Sequence, residues 1–458
     1  MSTYAPEEKP LPSVIIIGAG LGGLMLGALL QQINVPYHIF ERTKEAKPLG
    51  SAMSLGATIL PVFEQLGLLE ELYKVSLPCP LVDFHDANMK ALGTTIAGHT
   101  ESTGYEYILF ARPRLHMLLL KQVPVDKISY SKKMLRTAEK DGKVFAYFSD
   151  NTMVEGDILI GADGAYSAVR QSLYKDMDDK GLLPKSDLEN LSVGYLSMVG
   201  VAEANPEKYP QMNDGRAHFS QVLGKDSRSW GVYNVADNQV CWLLNSQLSE
   251  EDAKDQHFRN SEWGPESNEA MLKEYSDLPC PWGGKMSDIF DATPKHLISK
   301  VFFEDKLFLT WYNSRTVLIG DACHKMFPGA GQGAVNALQD AVILANCIYN
   351  MPDASPQSTK TAFEDYYKQR FHHAEEQYKR SVVVTKITFG QTWADRLFRF
   401  VLFNCIPDSV QQWAYIKNFS YRPQIAWLPL APDRGTIPVF PQEGARRLLG
   451  QQKKPQAL

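Results

Sequence analysis

The chain of 458 residues is too long for one ordinary hydrophobic core, so its length predicts two or three domains. Apolar residues make up 44%, as is usual for globular proteins, and 47 basic against 52 acidic side chains give a formal charge of −5. This balance gives no support to nucleic-acid binding, which needs a concentrated basic face, and we expect no nucleic-acid partner.

Cysteine usage and the N-terminal segment bear on the cellular compartment. The six cysteines show no CxxC spacing and no His/Cys run, so we predict free thiols in a reducing compartment and no metal site. Residues 1–12 lack the apolar segment of a secretory signal. The apolar run at 14–30 approaches the length of a membrane span, but its five glycines argue against one. We therefore expect a cytoplasmic protein.

The first elements along the chain predict a βαβ unit. The apolar run Val14–Ile17 ends in a glycine cluster, and a helical stretch and a second apolar run, Tyr37–Glu41, follow it. The turn Gly18–Gly23 reads GAGLGG, a G-x-G-x-x-G motif between a strand and a helix.

Each glycine of this motif has a distinct physical role. Gly18 permits the tight turn, Gly20 lets a pyrophosphate approach the backbone, and Gly23 lets helix and strand pack closely. Glu41 stands about 20 residues on, where a ribose contact is needed. A carboxylate there favours ribose hydroxyls over a 2′-phosphate, so the site suits FAD or NAD better than NADP. The neighbouring Arg42 leaves some room for the opposite preference.

The later elements alternate between buried-strand, sheet and helical patterns. They are a helix over 57–72, strands at 82–85, 143–148 and 157–160, an antiparallel sheet over 191–309, a buried strand at 316–320, a helix over 331–349, and a helical, then proline-interrupted remainder.

Two further motifs follow buried strands. The segment Gly161–Arg170 reads GADGAYSAVR, and the segment Gly320–Gly333 reads GDACHKMFPGAGQG. Together with the glycine loop, they resemble the flavoprotein hydroxylase family that includes para-hydroxybenzoate hydroxylase, over about residues 13–350. That family carries G-A-D-G-x-x-S-x-V-R and G-D-A-x-H-x-x-x-P-x-x-G-x-G in the same order.

The resemblance implies an α/β fold. A Rossmann-type FAD/NAD(P)-binding domain would carry an inserted antiparallel β-sheet substrate domain and a helical C-terminal region. The implied boundaries are 12–190 and 312–350 for the FAD-binding domain, 191–311 for the substrate domain, and 351–458 for the C-terminal region and tail.

The resemblance also assigns roles at the cofactor. Asp163 is expected near the flavin pyrophosphate and linked to NAD(P)H use, and Asp321 on the ribityl chain. Gly333 and Ala334, with Asn336 as a further candidate, are expected at the ring edge, where the start of a helix stabilises reduced flavin. Two weaker matches are Arg112 in an R-x-x-L pattern, with Arg114 as its competitor, and Gly56, which could equally be a simple turn.

The reaction implied by the family uses NAD(P)H to reduce FAD. Molecular oxygen then forms a flavin C4a-hydroperoxide, which transfers one oxygen atom to a small apolar or aromatic substrate by hydroxylation or epoxidation. His324–Met326 and 428–435 are similar to fungal monooxygenases of secondary metabolism. The motifs of flavin halogenases and Baeyer–Villiger enzymes are absent from the sequence. His324 is usually structural in the family, and a catalytic role for it is the lesser alternative.

No catalytic residue is assigned from the sequence. Tyr195 stands where an arginine is expected near the start of the second sheet and is the one candidate. Aromatic residues of the sheet region could line a substrate cavity, although aromatic residues in a sheet are more often core; they are Tyr195, Trp230, Tyr233, Trp242 and Trp311.

Two alternative functions and the role of one C-terminal segment remain open. The chain could be an oxidase or reductase of the same fold, similar to geranylgeranyl reductases, or a flavin-binding protein without turnover. Residues 388–413 could dock on an intracellular membrane, pack on the FAD domain or form a dimer surface, which leaves the oligomeric state open.

Overall fold

The computed structural model describes residues 11–46, 52–204, 206–224, 228–248, 265–327, 329, 331–390, 392–406, 410 and 416–441. Pro328 and Ala330 of the third motif, Trp413 and the C-terminal tail lie outside the described residues. The strands are β1 Val14–Ile17, β2 Tyr37–Phe40, β3 Ala52–Leu55, β4 Leu77–Pro78, β5 Leu81–Asp86, β6 Ala91–Ile96, β7 Ile108–Ala111, β8 Ile128–Ser129, β9 Met134–Lys140, β10 Lys143–Phe148, β11 Met153–Gly156, β12 Ile158–Gly161, β13 Ser192–Glu203, β14 Phe219–Leu223, β15 Arg228–Val235, β16 Gln239–Gln247, β17 Ser299–Leu307, β18 Tyr312–Asn313, β19 Thr316–Leu318 and β20 His324–Lys325. The α-helices are α1 Leu21–Gln32, α2 Leu60–Gln65, α3 Leu69–Lys74, α4 Thr100–Thr103, α5 Arg112–Leu120, α6 Ala168–Asp179, α7 Lys185–Leu188, α8 Pro265–Ser276, α9 Ser287–Phe290, α10 Gly333–Tyr349, α11 Pro356–Phe389 and α12 Trp393–Asn404.

A six-stranded sheet in the order β18-β19-β12-β1-β2-β8 organises the first core. All its pairs are parallel except β18–β19. Strands β1 and β12 are buried along their whole length, as parallel strands covered on both faces must be. Helix α1 packs against α10, and Gly22 permits this because an added Cβ would lie 3.3 Å from the Ala337 carbonyl oxygen. The predicted βαβ unit and Rossmann-type fold are confirmed.

An eight-stranded sheet in the order β20-β17-β13-β16-β15-β14-β5-β6 forms the second layer. Its pairs are antiparallel except β14–β5. Side chains alternate between its faces: Trp242 and Leu244 of β16 enter a core with α8 and α9, whereas Cys241 and Leu243 pack toward β3 and β7. The sheet therefore lies between its own helices and a three-stranded sheet in the order β3-β7-β4.

The sheet draws on two separated parts of the chain. Strand β5 pairs with β14, and β6 pairs with β5, so the sheet includes residues that the predicted division at 190/191 leaves in the FAD-binding domain. The predicted helix over 57–72 is also two helices, α2 and α3. They are separated at Gly67, whose φ of +70° ends the first helix.

The C-terminal region is helical, as predicted. Helix α11 has 34 residues and a length of roughly 50 Å at 1.5 Å per residue. The Ser355 hydroxyl accepts from the backbone N–H of Ser358 at its start, and Pro356 occupies the first turn. A capping box between Thr392 and Asp395 begins α12. Within the described residues, no helix is both long and apolar enough to cross a bilayer.

Candidate flavin site

The glycine loop between β1 and α1 is shaped by two close backbone approaches. Gly18 has a φ of +107°, and an added Cβ would overlap the Ala162 carbonyl oxygen. A Cβ on Gly23 would overlap the carbonyl oxygen of Gly18. Gly20, in contrast, has no atom within 4 Å of an added Cβ in the described structure. Two glycines thus serve packing, and Gly20 faces open space where a pyrophosphate could approach the N-terminus of α1.

Glu41 connects the end of β2 to this loop. Its Oε2 accepts the backbone N–H of Ala19 at 2.9 Å, and its Oε1 accepts that of Thr43 at 2.9 Å. Each carboxylate oxygen has a second lone pair free for a ribose hydroxyl. The side chain therefore stands beside the glycine loop in a geometry that suits the predicted ribose contact.

Helix α5 brings an arginine toward the same loop. His116 Nε2 lies 2.9 Å from the Ala19 carbonyl oxygen, and Arg112 lies one turn earlier on the same helix face. The Arg112 side chain is exposed to solvent, and its charge interacts with the nearby Asp321 carboxylate. The competing Arg114 points elsewhere, because its guanidinium forms an exposed ion pair with Asp237 at 2.5 Å. The geometry thus favours Arg112 over Arg114.

Asp163 occupies the turn between β12 and α6. Its carboxylate accepts the Ser167 hydroxyl at 2.5 Å and the backbone N–H groups of Ala168 at 2.7 Å and Val169 at 3.2 Å. Burial outweighs these hydrogen bonds and raises the pKa of Asp163 above its ordinary value. The backbone of this turn lies against Gly18. Asp163 thus fixes the second motif beside the first, and its predicted cofactor contact remains a prediction.

Asp321 and Gly333 meet where the third motif turns into α10. Asp321 Oδ1 lies 3.8 Å from the position of an added Cβ on Gly333, and Lys325 Nζ donates to Asp321 Oδ2 at 2.6 Å. Ala334 follows Gly333 in the first turn, half-buried against the first core. No described side chain caps the start of α10, which leaves backbone N–H groups for a ligand.

Gly56 lies close to the glycine end of the third motif. An added Cβ would approach the Tyr107 ring to 3.0 Å, and the Tyr107 hydroxyl lies 2.5 Å from Ser54 Oγ. The same Ser54 oxygen would be 3.3 Å from a Cβ on Gly331. All ten predicted cofactor residues thus belong to one connected region, and their individual contacts with FAD remain predictions.

The aromatic residues that were predicted as possible lining of a substrate cavity are mostly buried in the hydrophobic core. Trp230 and Trp242 pack in the core with α8 and α9, and Trp311 is fully buried among His324, Tyr366 and Phe371. Tyr233 is buried on the opposite face of the sheet, next to Phe219. For the three tryptophans the core interpretation is the correct one.

Tyr195 is the half-buried exception. Its ring stacks on Phe389 with centroids 4.1 Å apart and lies edge-on to Phe327, at 5.7 Å, in the third motif. Burial, with a smaller contribution from Asp305, raises the pKa of Tyr195. Its hydroxyl makes no hydrogen bond within the described part of the chain. We call Tyr195, Phe327 and Phe389 the aromatic cluster; it joins the sheet, the third motif and the end of α11.

A fully buried ionic network lies behind the third motif. His324 Nε2 is 2.5 Å from Asp340 Oδ2, and Arg370 Nε donates to Asp340 Oδ1 at 2.7 Å. Burial opposes ionisation of Asp340, but His324 and Arg370 outweigh it and lower its pKa to about 2. Cys323 joins His324 and Asp340 as a possible metal-ligand group, yet Asp340 already has a cationic partner. We therefore assign the network a structural role.

Two members of this region, His116 and Arg370, were not predicted from the sequence. His116 could have been found from its i, i+4 spacing to Arg112, because both residues then lie on one helix face. Arg370 carries no local signal, since it lies 30 residues beyond its partner Asp340 and on another helix.

Comparison with known proteins agrees with this geometry. The family model described as FAD binding domain matches residues 12–264 and 291–381. An FAD-dependent monooxygenase of Penicillium shearii is 27% identical over 409 residues, covering 84% of this chain and 80% of that protein. The 6-hydroxynicotinate 3-monooxygenase of Pseudomonas fluorescens is 26% identical over 389 residues, covering 83% and 91%.

A solved structure shares the fold. Klebsiella pneumoniae HpxO complexed with FAD and uric acid matches with a TM-score of 0.72 at 20% identity, covering 90% of this chain and 97% of that one. The predictions of an FAD-binding fold and of a flavoprotein oxidoreductase are confirmed. The chain belongs to the FAD binding domain family and is an FAD-dependent monooxygenase.

Proposed function

We propose that this monooxygenase uses NAD(P)H and molecular oxygen to insert one oxygen atom into a small apolar or aromatic substrate. The supporting observation is the convergence of the three motifs: Gly18 lies against the Asp163 turn, and Asp321 lies near both Arg112 and Gly333. When bound, FAD supplies the redox chemistry that activates oxygen. The chain supplies phosphate and ribose contacts, a helix N-terminus and exclusion of water.

The substrate class is inferred from the aromatic cluster. Burial raises the pKa of Tyr195, so this half-buried side chain stays a neutral phenol, and its ring packs on the buried rings of Phe327 and Phe389. A neutral ring backed by apolar side chains suits contact with a flat or apolar molecule rather than a charged one. Of the proteins compared above, one is a 6-hydroxynicotinate monooxygenase and another is complexed with uric acid; both compounds are small rings, which supports a ring substrate here.

The reaction is tested with purified, FAD-loaded protein. Substrate-stimulated oxidation of NADH or NADPH with oxygen uptake is expected, and label from ¹⁸O₂ should appear in the product. Terpenoid and phenolic compounds are the first to screen by mass spectrometry. Reduction of a substrate without oxygen uptake would indicate a reductase instead. Absence of any NAD(P)H reaction would favour a flavin-binding protein without turnover.

Substitutions of Tyr195 distinguish a packing role of its ring from a catalytic role of its hydroxyl. Tyr195→Phe keeps the ring in the aromatic cluster, so it should retain oxygenation, whereas Tyr195→Ala should lose substrate-stimulated NAD(P)H oxidation. The kcat and KM of both variants for the best substrate are the measurement. Loss of turnover in Tyr195→Phe would show that the hydroxyl itself takes part.

We further propose peripheral contact with an intracellular membrane through α12. Its exposed side chains Trp393, Leu397 and Phe400 recur at helical spacing, and Trp393 is 76% exposed. Arg396 and Arg399 add positive charge for anionic lipids. Trp393→Ser should weaken sedimentation with anionic vesicles, whereas Leu135→Ser, at a leucine 57% exposed on β9, should not. Unchanged sedimentation together with a smaller molecular mass of Trp393→Ser in size-exclusion chromatography would assign α12 to self-association instead.

A further inference from the structure

Arg370 is a fully buried cation outside all three motifs. It lies in the middle of α11, with no accessible surface, and its side chain reaches across to α10. Its Nε donates to Asp340 at 2.7 Å, and its Nη2 donates to Asn336 Oδ1 at 2.8 Å. One guanidinium therefore holds two points of α10 that are one turn apart.

The first of these points leads to the Gly320–Asp321 turn. Asp340 accepts Arg370 through Oδ1, and through Oδ2 it accepts the backbone N–H of Gly320 at 2.8 Å. Gly320 has a φ of +61° and directly precedes Asp321. Asp340 thus transmits the position of Arg370 to the backbone that carries Asp321.

The second point leads to the start of α10. Asn336 lies in the first turn, three residues after Gly333, and its Nδ2 donates to the Gln332 carbonyl oxygen at 2.9 Å. Arg370 Nη2 also lies 3.4 Å from the Asn336 carbonyl oxygen. The guanidinium therefore orients the first turn, whose free N–H groups form the positive end of the helix.

We infer that Arg370 is a positioning residue for the flavin site, acting through Asp340 and Asn336. It makes one rigid unit of the two backbone segments expected to hold the ribityl chain and the ring edge. This inference rests on the FAD binding of the family and on neither NAD(P)H use nor a substrate. Failure of the proposed reaction would therefore leave it intact.

The chemistry of the side chain explains why arginine stands here. The planar guanidinium donates in two directions at fixed angles, which one ammonium group cannot reproduce. The Tyr421 ring, 5.3 Å from the guanidinium carbon, adds a cation–π contact in a region closed to water. Arg370→Lys conserves charge but loses the simultaneous reach to Asp340 and Asn336.

The test compares Arg370 with a second buried arginine. Arg422 is 2% exposed and donates to the carbonyl oxygens of Phe419 and Thr103, away from the flavin motifs. Arg370→Lys, Arg370→Met and Arg422→Met are prepared as apoproteins, and their thermal unfolding midpoints are measured. FAD dissociation constants are then measured by flavin fluorescence at a temperature well below each unfolding midpoint. The reduction potential of the bound flavin is recorded as well.

The expected results separate positioning from general stability. Arg370→Lys should bind FAD at least about tenfold more weakly and shift the flavin potential to more negative values, because the helix end is less well aligned. Arg422→Met should lose thermal stability but keep the FAD affinity and potential of the natural protein. If Arg370→Met fails to fold, Arg370→Lys still decides the matter. Natural FAD affinity and potential in a folded Arg370→Lys would overturn the inference.

Discussion

At the scale of single residues, Glu41 is the proposed contact of the adenosine ribose. Glu41→Gln would turn an NH₂ group toward the Ala19 or Thr43 N–H, leaving a donor without an acceptor. We expect FAD to bind about 10- to 100-fold more weakly, corresponding to a lost charge-assisted hydrogen bond. Titration of the apoprotein with FAD measures this change. Glu45→Gln, the same substitution at an exposed position, should leave the affinity unchanged.

The ionisation of Asp340 makes part of the folding stability of the chain dependent on pH. Its pKa is about 2 in the folded chain against an ordinary 3.8, so its stabilisation is complete above the ordinary value. That contribution is lost as the pH falls through the folded pKa. Asp340→Asn should lower the unfolding midpoint near neutrality, because Arg370 stays buried without a counter-charge, and should flatten the decline between about pH 5 and 2.

Thermal unfolding of the apoprotein across this pH range is the measurement. Asp365→Asn, at an exposed position on α11, serves as the control and should change neither the midpoint nor its pH dependence. An equally steep decline in Asp340→Asn would contradict the assignment.

At the scale of elements, the start of helix α6 depends on hydrogen bonds to Asp163. Asp163→Ala removes three hydrogen bonds from the start of the helix and should cost about 1–3 kcal/mol of stability. Because the turn lies against Gly18, a modest loss of FAD affinity should accompany it. Denaturant unfolding and FAD titration measure the two effects. Weak FAD binding at natural stability would instead indicate direct contact with the cofactor.

Local sequence patterns predicted those elements whose own residues show a clear periodicity or glycine spacing. The helix α1, the strands β1, β10 and β12 and the glycine turn followed from apolar periodicity and glycine spacing. The interruption at Gly67 was missed, because leucines at helical spacing continue on both sides of it. The partners of Asp340 and Arg370 were missed for another reason: their contact is set by how α10 and α11 pack, which no local pattern encodes.

At the scale of the whole molecule, the eight-stranded sheet is not a self-sufficient unit. Residues 191–311 alone would expose the edge of β14 that β5 covers in the chain. They would also expose the apolar face that packs on β3 and β7. We expect this fragment to associate rather than fold as a monomer, as judged by size-exclusion chromatography and circular dichroism beside the intact chain. A monomeric, cooperatively unfolding fragment would contradict this expectation.

The long-range order of strands also marks the limit of sequence-based prediction at this scale. The strand pattern at 82–85 was recognised, but its parallel pairing with β14 joins residues far apart in the chain. The family resemblance supplied the order of motifs and the fold class. It did not supply the partners of single strands, which depend on the packing of complete layers.

The interleaving of β1, β12 and β19 has a consequence for biosynthesis. A ribosome releases Gly18 and Glu41 early, whereas β19, Asp321 and Gly333, which we propose to complete the same flavin site, emerge after most of the chain has been made. The nascent protein therefore cannot capture its flavin while the first half is still alone. Because a bound cofactor stabilises only the folded state, FAD supply should govern how much finished protein survives rather than how folding starts.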